Sequence, residues 1–279
     1  MHIGTTIRVM GEQSTPRLMR DCAIAAEGAR LDSLWIVDHI AIPPDDAEGS
    51  GGRYMDAPTT LTWLAAHTSR IRLGTSVLVL PYRPALLTAK WAATLQELSD
   101  HRLMLGVGIG WMAAEFRAAG VALGDRVRHS HATLRFLHEC FASDTAISNG
   151  QPFLFRPRPP RPPIYLGGAA PHALRRAVRY GDGWMPMSNN PAKLRDPIAA
   201  YRALTAAAGQ PPGAVVSLGG LPLHDIPRAR DQLAELAALG VTTAICAFRY
   251  ATLDEFSASL AALQRAAEDH LAPLLNTAL

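Results

Sequence analysis

Residues Ile71–Val107 read IRLGTSVLVLPYRPALLTAKWAATLQELSDHRLMLGV. The opening stretch, Ile71–Val79, is rich in β-branched and apolar residues, the composition of a strand buried on both faces. Ala85–Leu98 is Ala/Leu-rich and free of glycine and proline, which predicts a helix, and Leu103–Val107 is again a short apolar run. Strand, helix and strand make a parallel βαβ unit, because parallel neighbours cannot be joined by a tight turn and need a crossover.

The alternation continues to both ends of the chain. Strands are predicted at His2–Ile7, Ser33–Val37, Ile71–Val79, Leu103–Val107, Pro163–Leu166, Gly183–Met185, Val215–Leu218 and Thr243–Cys246. The helices that follow them are placed at Thr15–Ala29, Thr59–Thr68, Ala85–Leu98, Arg126–Phe141, Pro171–Tyr180, Pro191–Ala208, Ile226–Leu239 and Leu253–Glu268. Thr15-Pro16 supplies an N-cap with proline at the first helical position, and Thr252 with Glu255 forms a capping box. Gly181, Gly209 and Gly240 stand where three helices should stop. Eight βα units in 279 residues predict an α/β fold, a single (β/α)8 TIM barrel spanning residues 1–279. Two loops break the regularity. Pro43–Pro58 is long, polar and Gly-rich and is expected to be a mobile lid, while Ser143–Pro163 holds a small hairpin around Asn149-Gly150 before the fifth strand.

Composition narrows the function. The formal net charge is +3, carried by arginine, with Lys90 and Lys193 the only lysines. The arginines scatter along the chain and build no basic stripe, so a nucleic-acid partner is not expected. No apolar run approaches the ~20 residues of a membrane span and no leader pattern opens the chain, which together predict a cytoplasmic protein without membrane contact. Cys22, Cys140 and Cys246 are odd in number and far apart, and read as buried thiols. His129 and His131 lack a carboxylate or cysteine at ligand spacing, so they read as a solvated face and no metal is expected.

In such a barrel the chemistry lies at the C-terminal ends of the strands. The second strand ends in Asp38-His39; His39 is either a structural histidine or an acid–base group. The third strand runs through Ser76-Val77 to Tyr82. The fourth ends in Gly106-Val-Gly108-Ile-Gly110-Trp111, which departs from a dinucleotide fingerprint at Trp111 and reads instead as a place where a flat ligand approaches the backbone. Gly167-Gly168-Ala169, ahead of a helix, is either a tight turn or an anion site. The HExxH signature of zinc proteases, the Gly-x-Ser-x-Gly elbow of serine hydrolases and the Walker A sequence of P-loop enzymes are missing.

Val37–Pro43 (VDHIAIP), Ser69–Pro84 (SRIRLGTSVLVLPYRP), Leu103–Trp111 with Glu115-Phe116, Pro163–Gly168 and Tyr180–Trp184, in that order and spacing, resemble the bacterial luciferase-like superfamily of TIM-barrel oxidoreductases, most closely its deazaflavin (coenzyme F420) branch. The resemblance covers roughly residues 1–190. It implies a planar ring across the barrel mouth, backed by a bulge at Ser76-Val77 that in relatives contains a non-proline cis peptide. It further implies a cofactor phosphate near Gly167, Gly168 and Ala169, and His39 near the ring's reactive face. Relatives that oxidise sugar phosphates carry glutamate where Trp111 stands and tryptophan where Pro43 stands, so that substrate is not expected. Many relatives also have Asp and Gly-Gly in the segment that here reads Leu95–Arg102, so Gln96, Asp100 and His101 are variants of that pattern.

The expected function is hydride transfer between coenzyme F420 and a small organic substrate, with Tyr82 and Trp111 either walling the substrate pocket or standing as ordinary core aromatics. Reduced FMN on the same fold would make a monooxygenase. A barrel that has lost catalysis and serves as a binding subunit is the alternative from another class. The apolar Leu86–Leu98 helix suggests a homodimer.

Overall fold

The computed structural model describes residues 1–271. Its strands are β1 (His2–Thr6), β2 (Ser33–Ile36), β3 (Arg72–Val79), β4 (Leu103–Gly108), β5 (Thr145–Ser148), β6 (Gln151–Leu154), β7 (Ile164–Gly167), β8 (Gly183–Met185), β9 (Ala214–Gly219) and β10 (Thr243–Cys246). All but β5 and β6 are parallel and close into a barrel, in which β4 pairs with β7 and β10 returns to β1. Around it stand α1 (Pro16–Gly28), α2 (Ala57–Ala65), α3 (Ala85–Leu98), α4 (Ala113–Ala118), α5 (Arg126–Ala142), α6 (His172–Tyr180), α7 (Pro191–Ala207), α8 (Ile226–Leu239) and α9 (Leu253–Ala266). The fold is the expected (β/α)8 barrel. The helix that the pattern did not predict is α4, six residues long and too short to show a period.

The core has two parts. Between barrel and helices lies a continuous shell of Leu, Ile, Val and Ala, and inside the barrel a smaller cluster forms around Trp35, Met104, Tyr165, Met185, Val216 and Ile245. Trp35 sets the fit: a Cβ on Gly74 would lie 2.1 Å from its ring, so only glycine is possible beside it. The three thiols are buried as expected, and burial pushes Cys140 up to about 11 and Cys246 up to about 12. No helix among the described residues is long and apolar enough to cross a membrane.

The capping signals hold at Thr15, whose side chain accepts from Leu18 N, and at Thr252–Glu255, where both hydrogen bonds of the box form. Gly209 and Gly240 adopt positive φ (66° and 89°), whereas Gly181 is extended. Pro171 sits at the N-cap of α6 rather than at its first helical position, after a cis bond from Ala170. The Asn149-Gly150 hairpin forms as β5–β6, with both turn residues at positive φ. The second half of the Pro43–Pro58 loop is not free. Met10 and Tyr54 form a bridge, Gly11 N donates to Arg53 O (2.9 Å), Met55 N donates to Val9 O (2.9 Å), and Arg53 reaches Ser14 O (3.2 Å).

The Leu95–Arg102 variants now have a physical account. Gln96 Oε1 accepts from Leu103 N (2.9 Å) and its amide donates to Pro160 O (2.9 Å), which ties the connector before β7 to the start of β4. Asp100 and His101 have φ of 53° and 61°, the left-handed region that glycine occupies without strain. Replacing the exposed His101 by glycine should therefore stabilise the protein by about 0.5–1 kcal/mol, the relief of a left-handed side chain less the entropy glycine adds to the unfolded chain. His101→Val should do the opposite. Urea unfolding of both variants checks the pair, and a valine variant as stable as the glycine one would contradict the backbone account.

Candidate active site at the mouth of the barrel

A cavity of about 400 Å3 opens at the C-terminal ends of β2, β3, β4 and β7. Of the residues singled out in the sequence, it is lined by His39, Ser76, Val77, Tyr82, Gly108, Gly110, Trp111, Gly167, Gly168 and Ala169. Gly106 is not brought to it. A Cβ there would meet Thr75 O at 2.1 Å and Met185 Sδ at 2.6 Å, so this glycine serves the barrel interior.

The back of the cavity is built by a bulge. The β3–β4 register shifts between Thr75 and Leu78, and the Ser76-Val77 peptide between them is cis. Val77 stands over two glycines of neighbouring strands: a Cβ on Gly108 would lie 2.5 Å from Val77 Cγ2, and one on Gly167 would lie 2.7 Å from Val77 Cγ1. These glycines therefore make room for a side chain, and the close approach of backbone to ligand expected from the glycine run is replaced by a valine shelf.

The polar side of the cavity centres on Glu115, which is 1% exposed. Its Oε1 accepts from Ile40 N (2.6 Å) and Ala41 N (3.1 Å). Its Oε2 accepts from the Tyr82 hydroxyl (3.0 Å) and lies 3.0 Å from His39 Nδ1. Burial opposes the charge, but the amides of Ala41 and Ile40 and then the His39 ring outweigh it and hold the carboxyl below the ordinary glutamate range. An ionised Glu115 can only accept, so His39 Nδ1 carries the proton in this contact. Tyr54 packs against the His39 ring, with centroids 5.0 Å apart and the planes tilted by 56°. Burial, reinforced by the Glu115 carboxylate, pushes the Tyr82 phenol up, so that group stays protonated at neutral pH.

Beside it, Asp38 accepts both guanidinium nitrogens of Arg83 (2.7 and 2.8 Å) and Val79 N (2.9 Å). Arg83 also reaches Asp56, which caps α2 through Thr59 N at 2.9 Å. Sequence reasoning named neither Arg83 nor Asp38 as site residues and quoted Glu115 only as part of a motif. The available signal for Glu115 was a carboxylate inside the apolar AAEF run, and nothing in its spacing announced that it meets His39, 76 residues earlier.

At the other end, Gly168 has φ of 120° and leads into α6. Arg176, from the second turn of that helix, lines the cavity there, and its Nη2 is 3.4 Å from where a Gly168 Cβ would stand. The Nε of Arg176 is buried with no hydrogen-bond partner.

The mouth of the barrel thus combines a valine shelf, a carboxylate-anchored histidine and a cationic end. The chain is a member of the luciferase-like monooxygenase family, whose model matches residues 1–277. An uncharacterized protein of Mycobacterium tuberculosis is 32% identical over 255 residues, covering 81% of this chain and 83% of the relative. The F420-dependent glucose-6-phosphate dehydrogenase of Kineococcus radiotolerans is 34% identical over 192 residues; the match covers 64% of this chain and 54% of that enzyme. A monooxygenase from Streptomyces bottropensis shares the fold, with a TM-score of 0.80 at 16% identity over 97% of this chain and 99% of its own.

The Glu115 network carries a pH dependence with a definite sign. Because the folded-state value is lowered, its stabilisation is fully present above the ordinary carboxylate value of about 4.3 and is lost as pH falls below that, through the folded value. Glu115→Gln should cost about 2 kcal/mol at neutral pH, since its amide turns a donor toward groups that donate. The variant should also lose less further stability than the wild type on going from about pH 6 to pH 3. Urea midpoints across that range check this, and parallel curves would mean that Glu115 is protonated in the fold.

Proposed function

We propose that this oxidoreductase transfers hydride between a deazaflavin coenzyme of the F420 type and a small organic substrate, with His39 handling the accompanying proton. The observation that carries this reading is the His39–Glu115 pair at the cavity mouth. The cavity also fits such a coenzyme: Val77, seated over Gly108 and Gly167, offers a flat shelf, and the partnerless Nε of Arg176 beside Gly168 is suited to a phosphate. The likeness to F420-dependent dehydrogenases supports the deazaflavin over FMN. When bound, the deazaflavin supplies the carbon that accepts or gives hydride.

The chain supplies the rest. Loss of hydride from a carbon bearing a hydroxyl requires that the hydroxyl proton be taken up, and hydride addition to a carbonyl requires that one be given. Asp38 is tied to Arg83 and Glu115 already holds four hydrogen bonds, which leaves His39 as the lining group able to exchange a proton. The Glu115 carboxylate stabilises the imidazolium that forms. Trp111, 73% exposed at the rim, puts an apolar wall where sugar-phosphate oxidisers hold an acid, so the substrate differs from theirs.

Titration of the protein with F420 and FMN, each oxidised and reduced, tests the coenzyme by fluorescence quenching. Preferential binding of reduced FMN would make the protein an oxygenase, and binding of neither would leave a non-catalytic barrel. With a cognate substrate in hand, His39→Ala should lower kcat by about 10²-fold or more; a value within a few-fold of wild type would remove the proton role.

The α2–α3 face supports a homodimer. It carries a hollow of about 590 Å3 lined by Trp63, Leu87 and Trp91, and Leu87 and Leu98 are 63% and 68% exposed. Sedimentation at the monomer mass would discard this assembly.

A further inference from the structure

Charge is divided unevenly about the mouth of the barrel. Arg176 lines the Gly168 end, beside the α5–α6 surface. There Arg135 donates to the Tyr180 hydroxyl (3.4 Å), the Arg179 guanidinium stands 5.2 Å over its ring, and the His131 ring lies 4.9 Å from it. The expected solvated face at His129 and His131 is thus corrected for His131, whose Nε2 is buried without a partner. Lys193 belongs to the same side, in a neighbouring hollow of about 420 Å3 that meets the cavity at Gly168, Ala169 and Met187. The His39 end is the opposite. Among the described residues, no arginine or lysine other than Arg176 lines the cavity. The carboxylates beside His39 are both engaged, Asp38 by Arg83 and Val79 N and Glu115 by its four donors. The Ser76 hydroxyl is also committed, donating to Ile36 O (3.3 Å). An anion brought to His39 would meet two carboxylates and no cation, and a cation would find no free carboxylate oxygen. Either would give up hydration without replacement.

The rim is apolar. Ile40, Trp111 and Met187 follow the ends of β2, β4 and β8 and are 40%, 73% and 51% exposed. In the barrel the strands run in the order β8, β7, β4, β3, β2, so these three positions bracket the cavity. Each is held by its main chain. Ile40 N donates to Glu115 Oε1 (2.6 Å), and Pro186 O, just before Met187, accepts from Leu218 N (2.9 Å). Gly110, with φ of 74°, turns the chain outward before Trp111, and a Cβ there would lie 2.8 Å from both Phe116 and Val79, so the turn is pressed onto its support. Single exposed apolar side chains are ordinary, but three large ones fixed around one opening mark a binding surface. Trp111 and Met187 line the cavity itself, so the surface is continuous with the space beside His39.

We propose that the substrate is an uncharged alcohol or carbonyl compound with an extended apolar body, its oxygen at His39 and its body laid along Trp111, Met187 and Ile40, which set the specificity. For the reaction itself the proposal rests on the oxidoreductase reading above. In the oxidising direction the alcohol carbon gives up its hydrogen with both C–H electrons to oxidised deazaflavin, the hydroxyl proton passes to His39, and the C–O bond becomes double. The reverse direction consumes reduced deazaflavin and one proton. One polar contact then fixes orientation while apolar contacts supply the affinity, the usual division in small-molecule pockets.

The test is a calorimetric titration of the full-length protein, with and without F420, using methyl ketones of increasing chain length. Affinity should rise about two- to fourfold per added methylene, with a negative heat-capacity change. A ketone bearing a carboxylate or an ammonium at the far end of the same chain should bind about tenfold more weakly or worse, because that charge must stay hydrated. Trp111→Gln/Met187→Gln, which alters two exposed side chains, should flatten the chain-length series. A flat series in the wild type, charged forms that bind as tightly as neutral ones, or an equally steep series in the double variant would each overturn the substrate class. A double variant that loses F420 affinity and keeps the steep series would assign the rim to the coenzyme, with the same result. A steep series in a protein that binds no F420 would uphold the apolar site and remove the deazaflavin, whereas F420 binding with a flat series would do the reverse.

Discussion

A carboxylate that is 1% exposed at the mouth of an apolar cavity stays ionised only if nearly every lone pair finds a donor, and Glu115 finds four. Two of these donors are backbone amides of the segment after β2, so the same interaction that keeps the charge also fixes where that segment runs. The third, Tyr82, is brought by the end of β3, and the fourth is His39. A short helix, two strand ends and the base of a long loop are thereby held by one group. Removing its charge would cost more than one hydrogen bond, because the four donors depend on the same acceptor.

The shelf behind the cavity follows a different logic, that of volume. Val77 reaches over β4 and β7 because Gly108 and Gly167 have no side chain, and the register shift in β3 lifts it there. Gly74 does the same for Trp35 inside the barrel. Glycines that look alike in sequence thus do separate jobs: Gly74 and Gly106 fill the barrel, Gly108 and Gly167 shape the mouth, and Gly168 turns the chain toward α6 with φ of 120°.

The fold was legible because its determinants are local. Alternating strand and helix patterns, the Thr15 and Thr252 caps and the Asn149-Gly150 turn each state their structure within a few residues, and the barrel follows from their number. The site was legible only where it is made of backbone-shaping residues or lies at a strand end, as with His39 and the glycines. Glu115 and Arg83 escaped because their meaning is in a partner far away in sequence. The α5–α6 arginines escaped for the same reason: Arg175, Arg176 and Arg179 recur at helical spacing on α6, but nothing in the sequence says that Arg135 and His131 will stand opposite. His101 is the reverse case, a residue whose odd identity becomes intelligible only once its φ of 61° is known.

The way His39 is held also explains how its surroundings can vary. Pro43 belongs to the loop after β2 and Trp111 to a rim position that is 73% exposed, and neither contributes a hydrogen bond to the Glu115 carboxylate. Asp38, meanwhile, is locked by Arg83 and Val79 N from below. His39 is therefore anchored to helix, strand ends and main chain, while the rim is left to side chains that can change without disturbing that anchor. A barrel arranged in this way can alter its rim and still hold its histidine in one place.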